Sequence, residues 1–364
     1  MTLYSWGANS HGQLGLGIKS EQELEPKEVN LANSDLKAQN IVSVAGGAGH
    51  TLILDNNGHV YSCGWNKKGQ LGCSDESLKF EVIDILKEFK IVQISCGWDF
   101  SAAVSECGKL FVWGNNQYTQ LGLSKSITCT GIPSRLQVSQ KLATGFREIS
   151  CGLRHMAVIT KENGILVAGT GSKGQLGLGN NYDDNNYLSI SKVPDLEDVV
   201  SVACGEHHTL ILKTDGTLLS WGDNKYGQLG LSRNIPKSMV PATVLVDDSL
   251  KAVHAGWTHS AALTKSGEVY VWGRNSYGQL ASPKGDTGNP EKFTHLKDIA
   301  LLSLGSEHTL ALTSDGQLYC WGWNEHGNCG TGSTKDVIKP KQIFPKRKVR
   351  YASACTGHSF AVLE

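Results

Sequence analysis

The residues best equipped for chemistry in this chain of 364 are its twelve histidines and ten cysteines. Zinc binding needs thiolates or imidazoles at short ligand spacings, and the sequence contains no Cys-x-x-Cys. His50, His155, His208, His259 and His308 each stand three residues after a glycine, and His358 stands three after Cys355. That spacing makes six of the histidines parts of a repeated pattern, packing or hydrogen bonding within their own repeat, rather than a ligand cluster. His207, His254 and His326 are isolated. Cys96, Cys151 and Cys204 each precede the glycine of the pattern, and Cys63 and Cys320 close another strand of it. Equivalent positions in separate repeats are expected to lie far apart, so these read as small buried residues rather than disulfide or metal partners. Gly169 to Gly174 fits Gly-x-Gly-x-x-Gly, but no helix follows to complete a dinucleotide site. There is no serine elbow, His-Glu-x-x-His or carboxylate pair. The chain is expected to be no enzyme and to carry no metal or cofactor.

The pattern that absorbs these residues is a cassette in seven copies. Its histidine positions fall at 50, 100, 155, 208, 259, 308 and 358, with Phe100 replacing one histidine. The mean spacing of about 51 suits a four-stranded propeller blade and is too long for a two-helix solenoid unit. A β-branched run precedes each Gly-x-x-His, as in Ile41 to Val44, and an alternating apolar run follows, as in Thr209 to Leu212. Tight-turn pairs come next, such as Asn57-Gly58 and Asp215-Gly216. A third strand then ends on Trp-Gly-x-Asn-x-x-Gly-Gln-Leu-Gly, beginning at Trp6, Trp113, Trp221, Trp272 and Trp321, with Cys63 and Ala168 in the tryptophan place of two copies.

Residues 2–7 are a third strand without its first two, and residues 359–364 stop before theirs. The expected fold is therefore an all-β, seven-bladed propeller, one domain over residues 1–364, whose last blade is closed by N- and C-terminal strands.

Basic and acidic residues balance at 34 each, so no global field draws the chain to nucleic acid or membrane. Lys339, Lys341, Lys346, Arg347, Lys348 and Arg350 form a basic stretch and Glu21, Glu23, Glu25 and Glu28 an acidic one, read as solvated loops between blades. No apolar run reaches membrane-spanning length and no charged and apolar leader precedes Trp6. A cytoplasmic protein, also nuclear in the wider reading, without direct nucleic-acid binding, is expected.

Over essentially its whole length the cassette resembles the regulator of chromosome condensation family of seven-bladed propellers. Within it, Cys96 to Phe100, Gly256 to His259, Gly305 to His308 and Trp321 to Gly330 are similar to a branch that holds the secretion-regulating guanine nucleotide exchange factors of animals and the alpha-tubulin suppressor, or killer-toxin-insensitivity, propellers of fungi. The fungal resemblance implies a small zinc-binding, electron-carrier-like protein partner and support of diphthamide formation and Elongator-dependent wobble-uridine modification of tRNA. The animal one implies nucleotide exchange on a small GTPase, linked to secretion. In the founding member exchange depends on a β-wedge, and residues 179–195 carry no evident wedge. A light sensor like the plant ultraviolet-B receptor is disfavoured, because five of nine tryptophans belong to the cassette.

In a meander blade the Gly-x-x-His turn and the Trp-Gly-x-Asn loop share one face. Departures from the cassette there mark candidate contacts, since exposed tryptophans dominate binding hot spots. They are Trp98, Asp99, Trp257, Glu307, Trp323, Glu325 and His326. Trp257, Glu307, Trp323, Glu325 and His326 belong to the adjacent fifth and sixth copies and are expected to form one patch. Trp98 and Asp99, three blades away, would require a partner to reach across the mouth of the ring.

Overall fold

The computed structural model describes residues 1–179 and 190–364; most of the 179–195 loop lies outside the described residues. Seven four-stranded antiparallel sheets are present. Blades 1 to 6 span residues 41–82, 91–135, 146–192, 199–244, 250–293 and 299–343. Blade 7 takes its two inner strands, Val349–Ala354 and His358–Leu363, from the end of the chain and its two outer strands, Thr2–Ala8 and Gln22–Glu28, from the beginning. Thr2 to Gly7 pair in continuous register with Leu363 to His358, so the ring is closed by the expected third strand on the expected second.

The second strand of each blade is buried on both faces, and the apolar clusters sit between neighbouring blades. The outermost strands have no sheet neighbour beyond them. Pro26, Pro133, Pro241, Pro290 and Pro340 lie in five of them, where a missing N–H blunts pairing with a foreign strand. Lys339, Lys341, Glu23, Glu25 and Glu28 also stand on these strands. The basic and acidic stretches are thus partly edge strands rather than loops.

The repeated histidines seam blade to blade, correcting the expectation that they act within their own blade. Their Nε2 atoms meet the hydroxyls of the next blade: His50 with Ser101, His155 with Thr209, His208 with Ser260, His259 with Thr309, His308 with Ser359, and His358 with Thr51. Each hydroxyl donates to the carbonyl of a loop glutamine or its equivalent, as Ser101 Oγ does to Gln70 O at 2.8 Å. With its proton so committed, the hydroxyl accepts from Nε2–H, which fixes the neutral tautomer. The same carbonyls take the indole N–H of Trp6, Trp113, Trp221, Trp272 and Trp321 at 2.8 to 2.9 Å.

One seam departs from this chemistry on both sides at once. Phe100 of blade 2 replaces the histidine, Met156 of blade 3 replaces the hydroxyl, and both are buried in one apolar cluster with Ala168, which stands in the tryptophan place. Phe100→His alone should destabilise the ring by on the order of 1–3 kcal/mol, because a buried N–H would face a thioether. Adding Met156→Thr should return part of that loss. Strict additivity in a denaturant double-mutant cycle would overturn this account.

The glycine of Gly-x-x-His is required by the neighbouring blade. A Cβ on Gly152 would lie 2.3 Å from the Gly205 carbonyl oxygen, and one on Gly305 2.4 Å from that of Cys355. Cys355 survives at this position because blade 1 offers Gly46, where a Cβ would fall 2.5 Å from the Cys355 sulfur. Cys96, Cys151, Cys204 and Cys355 all line the mouth of the central channel. They converge on the ring axis instead of lying far apart, a second correction. All are free thiols. Burial pushes Cys204 and Cys355 up to about 12 and also raises Cys96 and Cys151 well above the ordinary thiol range, so none is a ready nucleophile. Among the described residues no group of three or more His, Cys, Asp or Glu is placed to hold a metal ion. No helix among them is long and apolar enough to cross a membrane.

Candidate protein-interaction face

Each Trp-Gly-x-Asn loop is tied down by its asparagine. Asn224, for example, accepts from Leu229 N at 3.0 Å and donates to Ile235 O at 2.7 Å. The residue after Trp-Gly then donates its N–H to the carbonyl just before the repeat histidine: Trp65 to Gly49, Arg274 to Thr258 and Trp323 to Glu307. These bonds bring the loops and the Gly-x-x-His turns to one face, as the meander predicts.

On that face the loops form a crown in which one blade touches the next. His11 packs on Trp65 with centroids 5.2 Å apart, and Tyr277 on Trp323 at 6.4 Å. The Arg154 guanidinium lies 4.3 Å over Tyr118, and that of Arg274 lies 4.9 Å from Tyr226 and 4.7 Å from Tyr277. Trp323 also meets His326 edge-on at 5.3 Å and donates to the Glu325 carboxylate at 3.3 Å. Trp323 and His326 are half-buried and Glu325 is exposed.

Trp98 and Trp257 come together in the centre. Their rings are 5.5 Å apart although they belong to blades 2 and 5, so the two indoles span the mouth between them. No partner has to bridge that gap, contrary to the expectation. Trp98 is 37% exposed, on a belt of bonds between turns that includes Ala48 N to Trp98 O and Trp257 N to Ser306 O.

The two turn carboxylates are placed differently. Glu307 is 5% exposed and accepts from Thr258 Oγ1 and Gln279 Nε2, each at 2.5 Å, with Arg274 Nη1 and His259 Nδ1 both at 3.7 Å. Burial raises it to about 7, against the opposing pull of these hydrogen bonds and of Arg274. Asp99 is 8% exposed and bound by Asn115 Nδ2 at 2.8 Å; burial raises it too. Both act as internal braces of the face, Glu307 by holding the arginine that stacks on Tyr226 and Tyr277. Tyr118, Tyr226, Tyr277, Arg154 and Arg274 are crown residues the sequence reading passed over. A signal existed: the second residue after the loop asparagine is His11, Tyr118, Tyr226, Tyr277 or His326 in five copies, and Lys68 or Lys173 in the others.

A closed seven-bladed ring with histidine seams and a crown of loop side chains defines a propeller of the chromosome-condensation-regulator class. The RCC1-like domain family matches residues 2–361, and the chain belongs to that family. It is 33% identical to the secretion-regulating guanine nucleotide exchange factor of Bos taurus over its full length and 83% of that protein. It is 36% identical to the Mus musculus counterpart over 76% of this chain, spanning 61% of the mouse protein's length. Among solved structures, Prp20p of Saccharomyces cerevisiae superposes over 100% of this chain and 91% of its own, with a TM-score of 0.89 at 24% identity, a likeness of fold.

Proposed function

We propose that this chain is a non-catalytic propeller, one unit over residues 1–364, that holds a protein partner on its crown face. The observation that carries this reading is the gathering of Trp98, Trp257 and Trp323 on one face, none used as a cassette anchor, with Glu325 and His326 beside them. Six of the twelve histidines are taken up as neutral seams, and the channel thiols are buried and neutral. The partner is a small zinc-binding, electron-carrier-like protein, and the role is support of diphthamide formation and Elongator-dependent tRNA modification, in the cytoplasm and in part the nucleus. What supports this finer reading is the likeness of residues 96–100, 256–259, 305–308 and 321–330 to the branch that holds the fungal propellers together with the animal exchange factors.

Trp323→Ala with Glu325→Ala should leave the melting temperature unchanged and weaken binding of the purified zinc protein by about thirtyfold or more, the scale of a tryptophan hot spot. Unchanged affinity in calorimetry removes this patch from the reading.

The second reading is guanine nucleotide exchange on a small GTPase, supported by the names of the mammalian relatives. It requires that a catalytic amount of the protein accelerate release of a fluorescent GDP analogue. Stoichiometric binding without acceleration favours the first reading.

A further inference from the structure

The crown is not uniform around the ring. From the loop of blade 1 to that of blade 5 it carries Lys67, Lys68, Arg154, Lys173, Lys225 and Arg274. From there through blade 7 it is aromatic, with Tyr277, Trp323, His326 and His11, the last packing on Trp65 where the blade 1 loop begins. Of the six cations, Arg274 alone stands within ion-pair distance of a carboxylate among the described residues, that of Glu307. Four carboxylates, Asp99, Glu206, Asp223 and Glu307, share the arc with the six cations, each with a partner inside the protein. Asp99 is bound by Asn115, Asp223 takes Gln228 Nε2 at 3.0 Å, and Glu206 stands 3.6 Å from His207. A chain with no net charge overall therefore presents a local excess of cations on the face where the partner is proposed to sit.

We propose that this cationic arc receives an acidic segment of a protein. The inference rests on the crown face being a docking face and adds the chemistry of what docks. Arg154 stands over the Tyr118 ring, which steadies it and leaves its guanidinium N–H groups available for bidentate carboxylate contacts, whereas Arg274 is partly engaged already, by Ser276 and Glu307. The same stacking argues against single-stranded nucleic acid, which needs open aromatic faces for its bases. Arg154 covers Tyr118, Lys225 lies 5.0 Å over Tyr226, and Arg274 faces both Tyr226 and Tyr277. Asp99, Glu206 and Asp223, interspersed among the cations, also penalise a regular row of phosphates, whereas a peptide places its carboxylates only where cations wait.

The test uses a fluorescein-labelled dodecapeptide of alternating acidic and small residues, with an oligouridylate of matched charge as comparator, read by anisotropy. Wild-type protein should bind the peptide, with affinity falling about tenfold between about 50 mM and about 300 mM salt. Arg154→Glu with Lys173→Glu should weaken binding about tenfold or more with an unchanged thermal melt, while Lys265→Glu, exposed beside the turn at the opposite face, should not. Absence of peptide binding at low salt, an equal loss in Lys265→Glu, or tighter binding of the oligouridylate would each overturn the proposal. Trp323→Ala with Glu325→Ala lies off the cationic arc and should leave peptide affinity intact. Failure of the acidic-segment inference is thereby separable from failure of the docking face itself.

Discussion

A chain ending at Ala354 should not form a stable ring. The strand it lacks, His358–Leu363, is the second of blade 7, paired with Val349–Ala354 on one side and with Thr2–Ala8 on the other. Phe360, Val362 and Leu363 are fully buried, and their burial alone is worth on the order of 6 kcal/mol. Two seams go with the strand, that of His358 with Thr51 and that of His308 with Ser359. A folded domain is stable by only about 5–15 kcal/mol, so the loss is comparable with the whole. The truncation also bares two strand edges that nothing else covers, which favours association between chains. Circular dichroism melts and size-exclusion chromatography check this. A truncated chain that stays monomeric and keeps its melting temperature would overturn the closure argument.

Much of this ring was legible because the sequence aligns with itself. Seven copies reveal which positions are architectural, and a third strand at residues 2–7 with first and second strands at residues 349–363 can be joined only in one blade. What the copies could not reveal is what faces what across a seam. His50 and Ser101 are 51 residues apart, and each looks complete within its own cassette. The clue was the paired departure of Phe100 and Met156, which makes sense only if those two positions touch. The channel thiols were misplaced for a related reason: equivalent positions are far apart in sequence, yet the first strands of all blades converge on the axis.

The candidate face was half legible. Tryptophans at loop tips announce themselves, and Trp98, Trp257 and Trp323 do share one face. A charged residue in a turn, however, looks exposed from sequence, because burial there depends on loop residues that are distant in sequence. Glu307 is enclosed by Thr258 and Gln279 of blade 5 and Asp99 by Asn115 of its own blade 2. The crown tyrosines were hidden by their regularity, since a position that varies between Tyr, His and Lys reads as filler until Tyr118, Tyr226, Tyr277 and His11 are seen against the next blade.

Acid should unfold this protein steeply, and the histidine seams are the reason. Burial lowers His50, His155, His208, His259, His308 and His358 to about 3 each, against about 6.5 for a free imidazole. Between those values the unfolded chain binds protons that the folded ring refuses. The stability they contribute is therefore fully present above about pH 6.5 and is lost as pH falls. Each costs about 2 kcal/mol by about pH 5, and the six together about 12 kcal/mol, the scale of a whole domain's stability. Glu307 works in the opposite sense. Raised to about 7, it takes up its proton in the folded state first and gains stability as pH falls, as do Asp99 and Glu148, also raised by burial, while buried His254, lowered to about 4, adds to the six seam histidines. The unfolding midpoint should fall between about pH 6 and about pH 4, with a slope near 8 kcal/mol per pH unit at its steepest. Replacing His308 by Gln, which keeps an N–H for Ser359, should remove about one proton from the uptake on unfolding. Denaturant titrations across pH measure both quantities. A ring that holds its stability down to about pH 4, or a slope of only one proton, would show that the six imidazoles are not neutral seams.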